Sequence, residues 1–447
     1  MPSKIKKPKK VAITTLGCKV NQYESASFQS EFEARGVEIV PFSQPADIYI
    51  INTCAVTNKA GAQSRQTIRR ALKNNAKARV VVTGCYSQVA ALDILEIVDQ
   101  PVCIVGNGYK HLLVDFALAT DYCDLEMYMA DIGKVRECCH LPVTTFPGRT
   151  RAYLKIQDGC DNYCSYCIVP LARGRSRSTL PEIALGQARM FVDSGFREIV
   201  VTGIHVGKYG QDLDRPDTLT SFLDQVTALN PETRFRLSSL EPNELSDKLL
   251  ALFATRANLM PHFHIPLQSG DDTILKKMNR HYTAADFREI VSKALKRLPD
   301  AALGIDVLVG FPGEDGQAFQ NTYDLLAALP ITYLHVFPYS LRPGTVAAKR
   351  KDQVPSKIKD ERVRMLRSLA EDKQQEFYRR FIGTAQKVLA ENKKNKLGLM
   401  RGFTENYIPV YFQAPASVAR TVVEVEIVKV EGDKVFGRLV DTSDEGS

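Results

Sequence analysis

Three cysteines lie close together in the middle of the chain, within the segment Asp158-Gly-Cys-Asp-Asn-Tyr-Cys-Ser-Tyr-Cys167. Cys160, Cys164 and Cys167 have the spacing C-x3-C-x2-C, and thiolates are soft ligands suited to iron–sulfur clusters and to zinc. A structural zinc site needs a fourth protein ligand, and the preceding histidine, His140, is distant in the sequence. The spacing therefore favours a four-iron cubane held by three thiolates, in which one iron stays open for a reactive ligand.

A second set of cysteines follows short β-type segments near the N-terminus. The segments Val11–Thr15, Ile48–Ile51 and Arg79–Thr83 are followed, in turn, by Cys18, Cys54 and Cys85. Because the carboxyl ends of parallel strands lie at one edge of a sheet, we expect these three thiols to converge on a second cluster, again with an open iron. The alternative is that small, often buried cysteines simply suit strand ends.

Composition narrows the class of protein. The chain has 447 residues, which predicts two or three domains, and its 44% apolar and 25% charged residues are typical of a soluble globular protein. No apolar run is long enough to span a membrane. Ten cysteines without an export signal indicate a reducing, cytoplasmic location and metal or redox use. The net charge of +8 suits a polyanionic partner.

The elements that must position the cysteines form an α/β pattern. Residues 9–120 predict an open parallel α/β sheet, with helices near Glu24–Arg35 and Ala60–Lys73, and residues 121–145 predict a linker. Residues 146–376 predict six strand–helix units, an incomplete relative of the eight-fold barrel, in which chemistry collects in the loops after the strands. The strands expected there are Ala152–Ile156, Glu198–Thr202, Arg234–Ser238, His262–Pro266, Ala302–Val309 and Tyr333–Phe337.

Residues 377–445 predict a small β-barrel of the oligonucleotide-binding type, since five short β-rich runs alternate there with turn residues. Basic and aromatic residues are interleaved in it and are suited to phosphates and to base stacking: Lys393, Lys394, Lys396, Arg401 and Arg420, with Phe403, Tyr407, Tyr411 and Phe412. The alternative is an ordinary barrel with core aromatics and surface lysines.

Together these motifs resemble the methylthiotransferase branch of the radical S-adenosylmethionine (SAM) enzymes, over nearly the whole chain. The resemblance rests on the segments Thr15-Leu-Gly-Cys-Lys-Val-Asn-Gln22, Ile51-Asn-Thr-Cys-Ala-Val-Thr57, Val82-Thr-Gly-Cys85, His264-Ile-Pro-Leu-Gln-Ser-Gly270 and Val309-Gly-Phe-Pro-Gly-Glu314. The Leu-Gly-Cys-Lys-Val-Asn form, with Ser238-Ser-Leu-Glu-Pro242 and His335-Val-Phe-Pro-Tyr-Ser340, is similar to the subgroup that acts on N6-threonylcarbamoyladenosine. The subgroup acting on isopentenyladenosine more often has Tyr-Gly-Cys-Gln-Met-Asn. One departure is Arg173-Gly-Arg-Ser-Arg-Ser-Thr179, where the roles of Arg173, Arg175 and Arg177 stay open.

The resemblance implies two [4Fe-4S] clusters and SAM as cofactors. Cys160, Cys164 and Cys167 would hold the cluster that cleaves SAM to a 5′-deoxyadenosyl radical, and Cys18, Cys54 and Cys85 the auxiliary cluster that donates sulfur. The residues implied to line the SAM pocket are Tyr166, Gly203, Gln268, Val307 and Gly310. It further implies a C-terminal RNA-binding domain of the TRAM type, a tRNA anticodon loop as partner, an electron donor such as flavodoxin or ferredoxin, and a sulfur source.

Alternative functions share parts of this pattern. Sibling methylthiotransferases act on isopentenyladenosine in tRNA or on an aspartate of a ribosomal protein, and a non-catalytic iron–sulfur sensor that binds RNA would also need clusters and a basic barrel. The remaining cysteines, Cys103, Cys123, Cys138 and Cys139, do not follow predicted strands in the same way, and we interpret them as incidental.

Overall fold

The computed structural model describes residues 9–98, 102–120, 125–214 and 218–440. Its N-terminal sheet has six parallel strands in the order β2-β1-β3-β4-β5-β6. The strands are β1 (Lys10–Thr15), β2 (Glu38–Ile39), β3 (Ile48–Thr53), β4 (Arg79–Gly84), β5 (Val102–Val105) and β6 (Leu125–Tyr128). β3 and β4 are buried along their whole length, as expected of strands covered on both faces.

Helices cover this sheet, and three of its strands were not predicted. The helices are α1 (Lys19–Ala34), α2 (Asn58–Asn74), α3 (Cys85–Val89), α4 (Ala91–Leu95) and α5 (Leu113–Leu118). The unpredicted strands β2, β5 and β6 are short, so their own periodicity is weak. β6 lies inside the segment predicted as a linker, and its pairing with β5 makes it the edge strand of the sheet.

The central part contains six parallel strands in two linked groups of three, β7-β10-β11 and β12-β13-β14. They are β7 (Ala152–Lys155), β10 (Glu198–Thr202), β11 (Arg234–Leu237), β12 (His262–Gln268), β13 (Ala302–Val309) and β14 (Tyr333–Pro338), with a small ribbon of β8 (Gln157–Asp158) and β9 (Arg177–Ser178). A hydrogen bond from the Leu240 amide to the His264 carbonyl, 2.9 Å long, joins the groups. The predicted open (β/α)6 barrel is confirmed.

Helices follow these strands. They are α6 (Val169–Arg173), α7 (Pro181–Asp193), α8 (Leu219–Thr227), α9 (Asp247–Thr255), α10 (Asp272–Lys277), α11 (Ala284–Arg297), α12 (Gly316–Ala328) and α13 (Ser356–Arg379). Several begin with a side-chain cap, for example Thr283, which accepts a hydrogen bond from the Asp286 amide in a reciprocal capping box. The long helix α13 leads into the last part of the chain.

The C-terminal part is a closed five-stranded barrel with the order β15-β16-β17-β19-β18, which confirms the predicted barrel. Its strands are β15 (Ala385–Lys394), β16 (Met400–Thr404), β17 (Pro409–Phe412), β18 (Val422–Glu431) and β19 (Lys434–Leu439). Closure leaves the sheet without a free edge.

One hydrophobic core runs from the N-terminal sheet into the central part. Phe28 and Phe32 of α1 belong to the same buried cluster as Ala152 and Leu154 of β7. α1 therefore fixes the N-terminal sheet against the open barrel. Within the described ranges, no helix combines the length and the apolar character needed to cross a membrane.

Candidate functional site

The three N-terminal cysteines follow adjacent strands, and we call Cys18, Cys54 and Cys85 the distributed triad. Cys18 caps α1 just after β1, Cys54 follows β3, and Cys85 begins α3 after β4. β1, β3 and β4 are neighbours in the sheet, so all three thiols lie at one edge, as the sequence predicts. Gly17 has φ +93°, and a Cβ built there would lie 2.8 Å from Sγ of Cys54. The turn before Cys18 therefore packs directly on Cys54, and only glycine fits it.

The other three cysteines form what we call the local triad: Cys160, Cys164 and Cys167 in the loop after β8. The Cys160 amide donates to the Gly174 carbonyl (3.1 Å), and the Cys167 amide to the Cys164 carbonyl (2.9 Å). A Cβ at Gly159 would lie 1.8 Å from the Arg175 carbonyl oxygen. These close backbone contacts hold the loop in one shape.

The spacing of the thiols fits clusters better than single ions. Among the described residues, neither triad has its three sulfur atoms all within 4.8 Å of one another, the spacing that one metal ion would require. Each triad nevertheless consists of three soft donors close enough to influence one another electrostatically. Thiols held apart in this way suit a four-iron cubane, whose corners take one ligand each.

Burial disfavours the thiolate form of three of these cysteines. Burial raises the pKa of Cys54 to about 11 and the pKa of both Cys160 and Cys167 to about 12, and the neighbouring thiols raise them further. Cys85 shares a buried apolar cluster with Ile168, which directly follows Cys167, so the two triads lie near each other. Since thiolates are the ligands, binding of iron must displace the protons.

Polar side chains contact the sulfur atoms of the local triad. Arg280 donates from Nη1 to Cys164 Sγ over 3.3 Å, and it forms an ion pair with Glu241. His205 Nδ1 lies 3.5 Å from Cys160 Sγ, while its Nε2 lies 2.7 Å from Glu244. Such contacts orient cluster ligands and adjust the potential of the metal. Sequence reasoning had missed these residues, because nothing in their local sequence indicates the contact.

Arg173 links Cys85 of the distributed triad to Asp158, two residues before Cys160 of the local triad, and we call this link the junction of the two triads. Its side chain is 1% exposed; it donates from Nε to Cys85 Sγ (3.3 Å), from Nη1 to Asp158 (2.8 Å) and Glu24 (3.0 Å), and from Nη2 to Asn21 (2.6 Å). Lys110 also pairs with Glu24.

The other two arginines of this run are placed differently. Arg175 is exposed, and Arg177 is buried and donates to the Arg173 carbonyl over 2.8 Å. The sequence left the roles of these three arginines open. The structure shows that Arg173 is the one that contacts a cysteine of the distributed triad.

The SAM-pocket candidates lie at or just after the carboxyl ends of different strands of the open barrel. Tyr166 packs edge-on against Phe311, at a centroid distance of 6.4 Å, and it shares an apolar cluster with Leu308. Gly203 lies against Gln157, whose Oε1 would be 2.9 Å from a Cβ at that position. Gln268 ends β12 at a bulge with φ +66°, a strained conformation that a binding site can require.

The side chain of Val307 points away from the barrel interior. Val307 is buried in the hydrophobic core with Ile305 and Val309, whereas Asp306 and Leu308 alternate onto the opposite face of β13. The assignment of the Val307–Gly310 strand end to the SAM pocket stays a prediction, in which Val307 would take part through its backbone. Gly310, at φ +73°, lies against Lys359 of α13, whose Cγ would be 2.2 Å from a Cβ there.

The remaining described cysteines take no part in either triad. Cys103 is buried in β5 within the hydrophobic core. Cys139 Sγ lies 3.7 Å from both the Asn107 carbonyl oxygen and His111 Nδ1, and Cys138 Sγ accepts a hydrogen bond from Thr179 over 3.5 Å. Cys123 lies outside the described residues.

A cavity of about 760 Å³ opens beside the distributed triad. Its walls come from all three parts of the chain: Lys19 next to Cys18, Arg236, His262 and His264 on β11 and β12, and Tyr407 of the barrel. A cavity of this size can hold a nucleoside-sized ligand.

A hydrogen-bonded chain of side chains runs along one wall of this cavity. His264 Nε2 lies 2.7 Å and His335 Nδ1 3.1 Å from Asp306 Oδ1, and Ser239 Oγ bonds to His264 Nδ1. The two imidazoles hold the pKa of Asp306 at about 2, although burial alone would raise it. The alternation of β12 and β13 was the signal for this wall, since every second side chain of a strand lies on one face.

The barrel contributes aromatic residues to the same cavity. Phe403 stacks on Tyr407 with ring centroids 4.7 Å apart, and the Arg151 guanidinium lies 4.7 Å from the Phe403 centroid. Phe412 is instead a core residue. Lys393, Lys394 and Lys396 are exposed, which fits both interpretations of the barrel, so its contact with RNA stays a prediction.

Comparison with protein families agrees with this architecture. Residues 10–106 match the uncharacterized protein family UPF0004, and residues 154–326 match the radical SAM superfamily. In fold, the chain is similar to the radical SAM methyltransferase TsrM from Kitasatospora setae, with a TM-score of 0.56, 15% identity, and 76% and 75% of the two chains covered. Fold and site together define a radical SAM enzyme with an additional N-terminal sheet.

Comparison with individual relatives identifies the family within the radical SAM enzymes. The chain is 37% identical to the threonylcarbamoyladenosine tRNA methylthiotransferase MtaB of Bacillus subtilis, covering 94% of each chain. It is 32% identical to the tRNA-2-methylthio-N(6)-dimethylallyladenosine synthase of Jannaschia sp., covering 97% of this chain and 94% of the relative. The chain belongs to the MtaB family of threonylcarbamoyladenosine tRNA methylthiotransferases.

Proposed function

We propose that this protein transfers a methylthio group to C2 of N6-threonylcarbamoyladenosine in tRNA, at the adenosine 3′ of the anticodon (position 37). The observation that carries the proposal is the joining of two cysteine triads by Arg173, with a nucleoside-sized cavity beside the residue that follows Cys18. Residues 9–120 hold the auxiliary cluster, residues 146–376 the SAM cluster, and residues 377–445 contact tRNA.

The reaction explains why the chain needs cofactors. The C2 hydrogen of a purine is bound to an unreactive aromatic carbon, and no side chain is a base strong enough to remove it, so acid–base catalysis by the protein is excluded. When bound, the two [4Fe-4S] clusters and SAM supply the electron, the sulfur, the methyl group and the oxidising power.

The protein's own residues orient and shield this chemistry. The local triad and the distributed triad each present three thiols to one cluster. Arg173, fully buried between them, fixes their relative position through Asp158 and Asn21, since reacting groups must be held in line. The apolar cluster of Tyr166, Leu308 and Phe311 excludes water beside the local triad.

The barrel and the cavity present the substrate. Anticodon-loop bases can be unstacked and placed against aromatic side chains, and Phe403 and Tyr407 offer such a surface at the cavity wall. The exposed lysines of β15 and the following turn, Lys393, Lys394 and Lys396, suit contacts with the phosphates. A small electron-transfer protein of the flavodoxin or ferredoxin class and a sulfur source complete the cycle, which we assign to the cytoplasm.

Mass spectrometry of tRNA nucleosides from cells lacking this protein tests the proposal. We expect the 2-methylthio derivative of N6-threonylcarbamoyladenosine to disappear and N6-threonylcarbamoyladenosine itself to accumulate. Loss of the isopentenyladenosine derivative instead would assign the protein to the sibling reaction. A change in neither nucleoside, together with no SAM cleavage by the reconstituted protein, would favour an iron–sulfur sensor.

A further inference from the structure

The cavity beside the distributed triad has charged walls, and most of their charges are already paired. Arg236 binds Glu198 with two nitrogen atoms, at 3.1 and 3.2 Å, and it donates to the Glu405 carbonyl. Arg151 binds the same Glu198 over 2.7 Å. Asp306 accepts from two histidines. These groups are therefore largely occupied by the protein itself.

Lys19 is different. It lines the cavity, and among the described residues it has no hydrogen bond or ion pair. Its positive charge therefore lacks a partner within the protein. Because Lys19 directly follows Cys18, this charge lies where the cavity adjoins the distributed triad.

A second polar group in the cavity also lacks a partner. His262 is 6% exposed and lines the cavity; its Nε2 pairs with the Tyr333 hydroxyl over 2.8 Å, while its Nδ1 is buried with no hydrogen-bond partner in the described structure. Buried polar atoms normally have partners, so the wall at His262 has unused hydrogen-bonding capacity. The wall thus offers the Lys19 ammonium next to Cys18, and Arg149 and Lys393 are further cations of the wall without an ion pair among the described residues.

The proposed substrate has the matching chemistry. The N6-threonylcarbamoyl group carries a carboxylate, a ureido group and a hydroxyl, whereas an isopentenyl group is apolar. The distal N–H of the ureido group can pair with N1 of the same purine, and N1 adjoins C2. The folded substituent therefore lies on the side of the base where C2 is, and C2 must face the sulfur delivered beside Cys18.

We propose that this cavity binds the N6-threonylcarbamoyl group and that Lys19 is its specificity-determining residue, with the ammonium paired to the carboxylate. This inference rests on the proposed function and names the part of the substrate that the cavity reads. The exposed imidazole of His335, which also lines the cavity, is the group that we assign to the ureido and hydroxyl groups. An apolar substituent would leave these groups without partners, which penalises the wrong substrate.

Binding of short anticodon stem–loop RNAs to the reconstituted holoprotein tests the proposal. Three RNAs differ only at the target base: N6-threonylcarbamoyladenosine, its carboxyl methyl ester, and adenosine. We expect the wild-type protein to prefer the free carboxylate over the ester by about ten-fold, as for a charge-assisted contact. Lys19→Gln should reduce that ratio to near one, and Lys19→Arg should retain most of it.

Lys393→Gln is the matched control, since Lys393, like Lys19, is an exposed lysine that lines the cavity, but it belongs to the barrel and is not next to a triad cysteine in the sequence. It should weaken all three RNAs alike and leave the ratio unchanged. If Lys19→Gln weakens all three RNAs equally, Lys19 contacts a phosphate and the proposal is overturned. A wild-type protein that does not distinguish carboxylate from ester also overturns it.

A separate readout distinguishes this inference from the proposed function. The methylthio product formed from each RNA is measured by mass spectrometry in the same preparations. Product formation without any dependence on the carboxylate would leave the proposed function intact and remove the role of Lys19. A Lys19-dependent preference without product from any RNA would keep the recognition site and remove the proposed reaction.

Discussion

Each of the two triads presents three thiols, but the chain positions them by opposite means. The local triad lies within one loop, whose shape depends on backbone contacts such as Cys160 to Gly174. The distributed triad is assembled from the ends of β1, β3 and β4, so its geometry depends on the whole sheet. The comparison indicates that a local site tolerates changes in distant packing. A distributed site, in contrast, can lose its geometry through a substitution elsewhere in the sheet that leaves all three cysteines in place.

The largest expected effect separates the chemical roles of the triads. Replacing Cys160, Cys164 and Cys167 by Ala should lower SAM cleavage by at least about 10³-fold, because the cluster is the electron source. Replacing Cys18, Cys54 and Cys85 by Ala should abolish the methylthio product but retain 5′-deoxyadenosine formation. Each triple variant should lose about four irons.

Iron analysis and chromatography of the deoxyadenosine product are the measurements, with circular dichroism to verify the fold. Loss of SAM cleavage in a folded distributed-triad variant that keeps its other cluster would refute this division of roles.

The second-largest effect is expected on the stability of the fold, from a substitution of Arg173 at the junction of the two triads. Arg173→Met leaves Glu24 and Asp158 buried with fewer partners, which should lower the free energy of unfolding by about 3–5 kcal/mol. Urea unfolding of the reconstituted protein measures it, and the exposed Arg175→Met is the control, expected within about 0.5 kcal/mol of wild type. Equal stability of the two variants would show that the junction is not rigidly coupled to folding.

The same junction predicts a pH dependence. Burial would raise the pKa of Glu24, but Arg173 and Lys110 outweigh it and hold that pKa below its ordinary value of 4.5. A depressed carboxyl pKa stabilises the fold above the ordinary value and loses that contribution as the pH falls below it. Wild-type stability should therefore decrease on acidification below about pH 4.5, and Arg173→Met should lose less over the same range. A parallel decrease in both proteins would exclude Glu24 as the cause.

A more moderate effect should appear in the surroundings of the local triad. Arg280→Gln removes a charged donor to Cys164 Sγ, so the reduced cluster loses stabilisation and its reduction potential should become more negative. We expect SAM cleavage to fall by about 10-fold. A redox titration followed by electron paramagnetic resonance measures the potential, with the surface variant Arg256→Gln as control. An unchanged potential would mean that the contact with Cys164 has no electrostatic role.

The smallest effect is expected at a thiol outside both triads. Cys139→Ser keeps a side chain able to bond with the Asn107 carbonyl, and iron content and product formation should match the wild type. A loss of iron on this substitution would show that the triads are not the complete ligand set.

Much of the frame followed from local sequence patterns. The six central strands and the barrel were predicted because their apolar runs are long or regularly spaced, and β13 (Ala302–Val309) was predicted to the residue. The strands β2 and β6 were not predicted, since each is defined by a neighbouring strand more than by its own residues. The motif at Val307–Gly310 predicts a segment of the SAM pocket but does not show which of its side chains point inward, and the structure places Val307 in the hydrophobic core.

The sequence by itself determined the family and the strand ends that carry the cysteines, and it predicts those cysteines as the cluster ligands. Lys19 is part of the Leu-Gly-Cys-Lys motif, but the motif does not indicate where its side chain lies. Only the tertiary structure decided that Lys19 faces a cavity, that Arg173 joins the two triads, and that Ser239, His264, Asp306 and His335 form one chain. The physical reason is that ligand type and strand periodicity are local properties, whereas pairing of buried charges depends on contacts between residues far apart in the sequence.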